Sequence, residues 1–301
     1  MADGFSYTGT MLAFNLGQPP FDLLAARRAV AAALDLDYIA GGRGTPGGPV
    51  PADRGAIHPL SPWNPGRALH RFDPLAARVA FAEAGVGAFR VLAPSNDARR
   101  LEAAKRIVRA LGNAGARAQL LAASPREFDA ALNGGATGAS FDAAVVGLPA
   151  LASYDPAFLR VAFGERSAGG LNPGGYRSAR FERLADRVAS AANVPARRRA
   201  VAAELRLLAQ DVPAVTLFFG GGTFAYRPSG YDGWTDVRGS GILDKRSFLP
   251  RPRSARPVGA APIDPLDPSD TTRFSFGPFI LALAGLLALG ASWWLWRTRR
   301  R

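Results

Sequence analysis

The sequence predicts an α/β domain on a largely parallel sheet, followed by a single C-terminal transmembrane helix. Three observations predict it. Residues 73–147 alternate helix-period and strand-length apolar patterns; residues 250–273 carry six prolines and no apolar period; and Gly277–Trp296 runs 20 residues without a charge.

The elements follow in chain order. Met11–Leu16 is a short apolar run stopped by Pro19-Pro20, and reads as a strand. Asp22 caps a helix to about Ile39, with Leu23, Ala26, Val30 and Leu34 on one stripe. Glycine and proline then dominate from Gly41 to Gly66. Asp73-Pro74 opens a helix that Gly85 ends, and Phe89–Ala93 is a strand. A longer helix, Ala98–Ala114, precedes a strand at Arg117–Leu121. Ser124, Pro125 and Glu127 form a capping-box pattern for a helix to Leu132, and Phe141–Val146 is the next strand. Helices at Ser178–Ala192 and Pro195–Gln210 precede strands at Val215–Phe219 and Phe224–Tyr226, with Gly220–Gly222 as the turn between them.

Composition excludes several chemistries. Of 301 residues, 48% are hydrophobic and 20% charged, so the chain can bury a core. There is no cysteine, which removes disulfides and thiolate chemistry. Histidine occurs only as His58 and His70, so no multi-histidine metal centre and no evident serine-hydrolase triad can be assembled. No cofactor is implied: Gly42-x-Gly44-x-x-Gly47 follows a helix rather than a strand, and no GxxxxGK or GxSxG is present. Net charge is +13, of which +8 falls in residues 1–249. That excess would suit nucleic acid or an anionic membrane surface, but the arginines are scattered over every helix, so no nucleic acid is expected.

The C-terminal stretch has the flanks of a membrane span. At about 1.5 Å per residue it reaches about 30 Å, the thickness of the hydrocarbon core. Gly277 and Phe279 begin it, and Trp293, Trp294 and Trp296 end it at the depth where indoles prefer to sit. Arg297, Arg299, Arg300 and Arg301 then mark the cytoplasmic side, which would leave the main domain extracytoplasmic in the cell membrane. The expected organisation is residues 1–249 folded, 250–276 a Pro-rich linker, 277–296 the anchor and 297–301 a basic tail. The N-terminus shows no signal-peptide pattern, which leaves the export route open.

Phe14-Asn15, Pro20-Phe21-Asp22, Arg28-Ala29-Val30 and Ala33-Leu34-Asp35 form one ordered set of residues. Phe72-Asp73-Pro74 through Glu83-Ala84-Gly85 forms a second, and Phe141-Asp142, Asp155-Pro156, Phe163, Asn172 and Gly175-Tyr176 a third. With Gln210-Asp211-Val212-Pro213 near the end, residues 11–249 resemble family 5 of the extracellular solute-binding proteins, the dipeptide, oligopeptide and nickel binders of ABC importers. The resemblance implies the second lobe of a type II periplasmic-binding-protein-like fold. It also implies binding of a small, peptide-like solute by lobe closure without catalysis, and delivery to ABC permease subunits. It carries ligand-binding candidates onto Tyr154, Asp155, Asn172 and Tyr176, and makes Arg28 and Asp35 fold determinants. Only one lobe is matched, so either a separate chain supplies the first, or the start lies upstream, or the chain is a fragment that does not bind. Peptide binders of the family carry an acid just before the Asp-Pro pair; Gly147–Tyr154 holds none, so another solute class is open.

Overall fold

Strands and helices alternate through the computed structural model, which describes residues 2–42, 47–134, 140–165 and 172–224, with 227, 229, 230, 234 and 239. The linker, the span at Gly277–Trp296 and the basic tail lie outside the described residues. Among the described residues no helix is long and apolar enough to cross a membrane.

The strands are β1 (Ala2–Phe14), β2 (Val50–Pro51), β3 (Phe89–Pro94), β4 (Ala118–Ala123), β5 (Ala143–Leu148) and β6 (Ala214–Phe224). They form one sheet in the order β2-β6-β1-β5-β3-β4. The helices are α1 (Leu24–Ala33), α2 (Leu36–Ala40), α3 (Pro74–Glu83), α4 (Ala98–Asn113), α5 (Pro125–Asn133), α6 (Leu151–Tyr154), α7 (Leu159–Phe163), α8 (Ala179–Ala189) and α9 (Val194–Asp211).

The helix–strand alternation of residues 73–147 is present, and β3 pairs in parallel with both β4 and β5. The sheet as a whole is mixed, because β1 runs antiparallel to β5 and β6, and β6 antiparallel to β2. Parallel neighbours need a crossover between them, and α4 and α5 supply the crossovers that link β3, β4 and β5.

Several expectations change in detail. The strand expected at Met11–Leu16 starts at Ala2, since the polar alternation Ser6, Thr8, Thr10 is a strand with one open face. The single helix expected to Ile39 breaks at Asp35, whose carboxylate accepts from the Asp37 and Tyr38 amides and starts α2. Asp22 does not cap α1; Leu23 occupies that position without a side-chain bond. The capping box at Ser124 and Glu127 forms as read.

The turn expected at Gly220–Gly222 is instead continuous strand, pairing with Gly4 and Phe5 of β1. A Cβ on Gly221 would stand 2.1 Å from the Gly48 carbonyl oxygen. The glycine there is for close backbone approach rather than for turning the chain.

One core fills the space between the sheet and helices α1–α4. Leu12 and Phe14 of β1, Val91 of β3, Val145 of β5 and Leu217 of β6 meet Val30 of α1, Phe81 of α3 and Ile107 of α4. Into this core the sequence inserts a buried cation. The Arg27 guanidinium donates to the carbonyls of Phe21 (2.7 Å) and Asp22 (3.1 Å), and to those of Asp211 (3.0 Å) and Val212 (3.1 Å). It ties the turn after β1 to the turn before β6. Burial lowers its pKa while the nearby Asp211 charge opposes the shift. Arg28, read from sequence as the fold determinant, is exposed and donates only to the Gln210 carbonyl, at 2.9 Å. Arg27→Leu leaves four carbonyls short of a donor, two of them in buried bonds, and is expected to destabilise the fold by roughly 2–4 kcal/mol in urea denaturation.

On the α8–α9 pair, Glu204 is 1% exposed and neither carboxyl oxygen has a hydrogen-bond partner among the described residues. Burial, reinforced by the Glu182 charge and opposed by Arg160, raises its pKa from 4.5 to about 8. The folded protein therefore holds a proton that the unfolded chain releases above about pH 4.5. Stability is expected to fall as pH rises from about 4.5 to about 8 and to level beyond. Chemical denaturation of Glu204→Gln across that window is expected to lack this fall.

Candidate functional site

β1 and β6, at 13 and 11 residues, are about twice as long as the 6-residue strands β3, β4 and β5. Toward their far ends, Ser6, Thr8 and Thr10 of β1, Gly147 of β5 and Gly220 and Gly221 of β6 line an open groove of about 380 Å³. The groove lies at the C-terminal end of β3, where open α/β sheets present their ligand crevices.

Helix α4 starts over this groove and brings Arg99 and Arg100. The Asp97 side chain caps the helix by accepting from the Arg100 amide (2.9 Å), and its second oxygen holds the Arg100 guanidinium at 2.7 Å. Burial pulls the Asp97 carboxyl upward, but the Arg100 amide and guanidinium outweigh it and hold the group below its ordinary value. The Arg100 guanidinium also stands 5.9 Å over the Phe128 ring. Arg99 is less committed: it is exposed, and its guanidinium reaches the Gly221 carbonyl at 3.4 Å. The groove thus offers hydroxyls, backbone groups at glycines and a helix N-terminus with two guanidiniums, against one carboxylate already engaged.

The four residues carried over by resemblance fall in two places. Tyr154 ends α6; its ring is 4.8 Å from Tyr7 of β1, and its carbonyl accepts from Trp63 Nε1 at 2.9 Å. Asp155 caps the turn that follows by accepting from the Ala157 amide (3.0 Å), and pairs with Arg197, which stands 5.0 Å over the Trp63 ring. Asn172 and Tyr176 sit at the other end of β1. The Asn172 amide group donates to the Tyr176 carbonyl (2.6 Å) and its oxygen accepts from the Tyr176 amide (2.9 Å), closing a turn. The Tyr176 hydroxyl donates to Asp211 at 2.6 Å; burial, then this bond, raises its pKa. Tyr7 and Phe14 are seven residues apart on β1, roughly 20 Å at strand spacing, so the two pairs do not form one site.

His58 is fully buried among Phe5, Tyr7 and Phe219, stacked on Phe5 at 5.0 Å. Its Nδ1 accepts from the Leu60 amide (3.0 Å), which puts the proton of the neutral ring on Nε2, and burial lowers its pKa to about 4. Ser153 Oγ accepts from the His58 backbone amide, not the ring. No serine–histidine pair is made there.

Residues 3–170 match the model of bacterial extracellular solute-binding proteins, family 5 Middle, which is more than half of the chain. The chain belongs to this family. Members of family 5 are non-catalytic binding proteins. Solved structures share the fold. The oligopeptide-binding protein AppA from Bacillus subtilis, in complex with a nonapeptide, superposes with TM-score 0.62 at 18% identity, covering 75% of this chain and 49% of AppA. NikA from Staphylococcus aureus, in complex with Ni(L-His)2, gives 0.63 at 14%, covering 76% and 50%. The dipeptide binding protein from Pseudoalteromonas sp. SM9913, in complex with Met-Leu, gives 0.61 at 20%, covering 73% and 44%. The chain therefore spans about half the length of these structures. No curated protein matches it.

Sequence reading missed the groove, because its hydroxyls, glycines and arginines come from four separated segments. The alternating Ser6, Thr8 and Thr10 were the available signal. Gly221→Ala forces Cβ against the Gly48 carbonyl and is expected to cost about 1–3 kcal/mol. Thermal unfolding beside Gly147→Ala, where a Cβ meets nothing within 4 Å, isolates that effect.

Proposed function

We propose that this chain is a substrate-binding component of an ABC importer and binds its solute in the groove between β1, β6 and the start of α4. Binding is by burial and hydrogen bonding, without bond making or breaking. Family membership supports the role, and the groove lined by β1, β6 and the start of α4 supports the place.

The observation that carries the reading is the charge of the groove. Among the described residues Arg99 is held only by a long bond to a backbone carbonyl, and the segment Gly147–Tyr154 offers no acid to receive an ammonium group. The solute is therefore a small, peptide-like molecule held by its carboxylate rather than by its amine. An ionised pair in a partly covered groove contributes on the order of 1.5–3 kcal/mol, about tenfold or more in affinity. In the assembled protein a complementary lobe closes over the groove and completes the solute's enclosure. Closure then presents a surface to the permease.

Titration of the full chain with a tripeptide pool, as free acids and as C-terminal amides, tests the reading. The acids are expected to bind about tenfold or more tighter, and Arg99→Ala to erase the difference while leaving thermal stability unchanged. Equal binding of acids and amides by the parent protein would remove the carboxylate role.

The C-terminal segment supports a tethered location. Gly277–Trp296 anchors the domain in the cell membrane, Arg297–Arg301 stays in the cytoplasm and residues 1–249 face outward. Protease added to intact cells is expected to degrade the main domain and to spare a tag placed after Arg301. A protected main domain would contradict this orientation.

A further inference from the structure

A second concavity lies away from the groove, toward the opposite end of β6. It encloses about 260 Å³ between α1, the loop through Ala52–Ala56, the segment Leu69–Arg71, α9 and the start of β6. Small side chains hollow it out: Ala31 and Ala32 on α1, Ala52 and Ala56 in the loop, Ala209 on α9 and Ala214 on β6. Leucines at 69, 205 and 208 and Phe163 wall it.

The polar lining has one sign. Arg28, His70 and Arg71 are its basic groups, and neither Asp nor Glu lines it. Arg71 is engaged by Asp73 at 3.4 Å. Arg28 donates to the Gln210 carbonyl and has no carboxylate partner among the described residues. The ring of His70 is turned so that Nε2 donates to the Leu34 carbonyl at 2.8 Å, which leaves Nδ1 as an acceptor when the ring is neutral. Burial lowers the pKa of this histidine against the opposing effects of Leu34 and the nearby Asp53 and Asp35, so the ring adds no charge near neutrality.

An aliphatic hollow edged by an arginine that has no carboxylate partner among the described residues is built for an amphiphile. Water there would face alanine and leucine walls with few hydrogen-bond partners. The volume is somewhat below the roughly 300–1,000 Å³ of drug-sized sites, which limits the occupant to a short chain or a single ring. An ammonium-headed amphiphile would meet like charge at Arg28.

We propose that this pocket is a second ligand site, separate from the groove, for a short-chain amphiphilic carboxylate. Its hydrocarbon lies against the alanine and leucine walls, and its acid group pairs with the Arg28 guanidinium. The assignment rests on this pocket alone and stands whether or not the groove binds a solute.

Thermal unfolding of the full chain with octanoate, and separately with octylamine, both below their aggregation concentrations, tests it. Octanoate is expected to raise the midpoint by several degrees in a concentration-dependent way, and octylamine to leave it unchanged or lower it. Arg28→Gln is expected to abolish that discrimination. Ala209 is exposed at the rim, so Ala209→Leu is expected to unfold near the parent temperature yet lose the octanoate response. Arg99→Ala is expected to keep it. Any of four results would overturn the proposal: no octanoate shift, an equal shift with octylamine, a response that survives Ala209→Leu, or one abolished by Arg99→Ala, which would place octanoate in the groove. A lowered midpoint in Ala209→Leu together with no octanoate response in the parent would instead mean that the chain itself fills the pocket.

Discussion

One buried guanidinium holds the central strands in place. Arg27 reaches carbonyls from two turns about 190 residues apart in sequence, at Phe21–Asp22 and at Asp211–Val212. Those turns follow β1 and precede β6, the strands that pair with each other along most of their length. Val212 adopts a left-handed backbone at φ 46°, an unfavourable conformation for a β-branched residue. The donors on its carbonyl and on that of Asp211 help to hold that turn, and Tyr176 braces the Asp211 side chain from the other side. A charge placed in a core is costly unless its hydrogen bonds are met, and here four carbonyls meet them.

From that fixed end the two strands run on to the start of α4. There Ser6, Thr8 and Thr10 of β1 and Gly220 and Gly221 of β6 line the groove together with Arg99 and Arg100. Charge then sets what the groove can accept. Asp97 spends its carboxylate on capping α4 and on Arg100, which leaves Arg99 as the cation least engaged. The same long-range pairing of β1 with β6 that stabilises the sheet therefore also builds the surface on which a solute can lie.

Much of this architecture was legible in the sequence, and the exceptions have physical reasons. The alternation of residues 73–147 gave the parallel strands, since each strand and each amphipathic helix is local. Direction of pairing for β1 and β6 was not legible, because antiparallel partners 200 residues apart leave no local trace. Gly220–Gly222 read as a turn because glycine usually marks one; close approach of Gly48 is the reason it stands inside a strand. Arg28 was read as a fold determinant and its neighbour Arg27 was not singled out, because only packing separates a buried guanidinium from an exposed one. The short helices α6 and α7 escaped notice, as a single turn carries almost no periodicity. At the site, the resemblance led to Tyr154, Asp155, Asn172 and Tyr176, two of which turn out to close a turn and brace Asp211 beside the clamp. The groove residues lacked any contiguous motif, and only the fold gathers them.

Hydrogen exchange of the full chain, with and without a saturating free-acid tripeptide, tests most directly whether the groove receives the solute. Slowed exchange confined to Ser6–Thr10, to the first turn of α4 and to Gly220–Gly221 is the result expected. Slowing centred on Asn172–Tyr176 or on Tyr154–Asp155, with the groove amides unchanged, would contradict it.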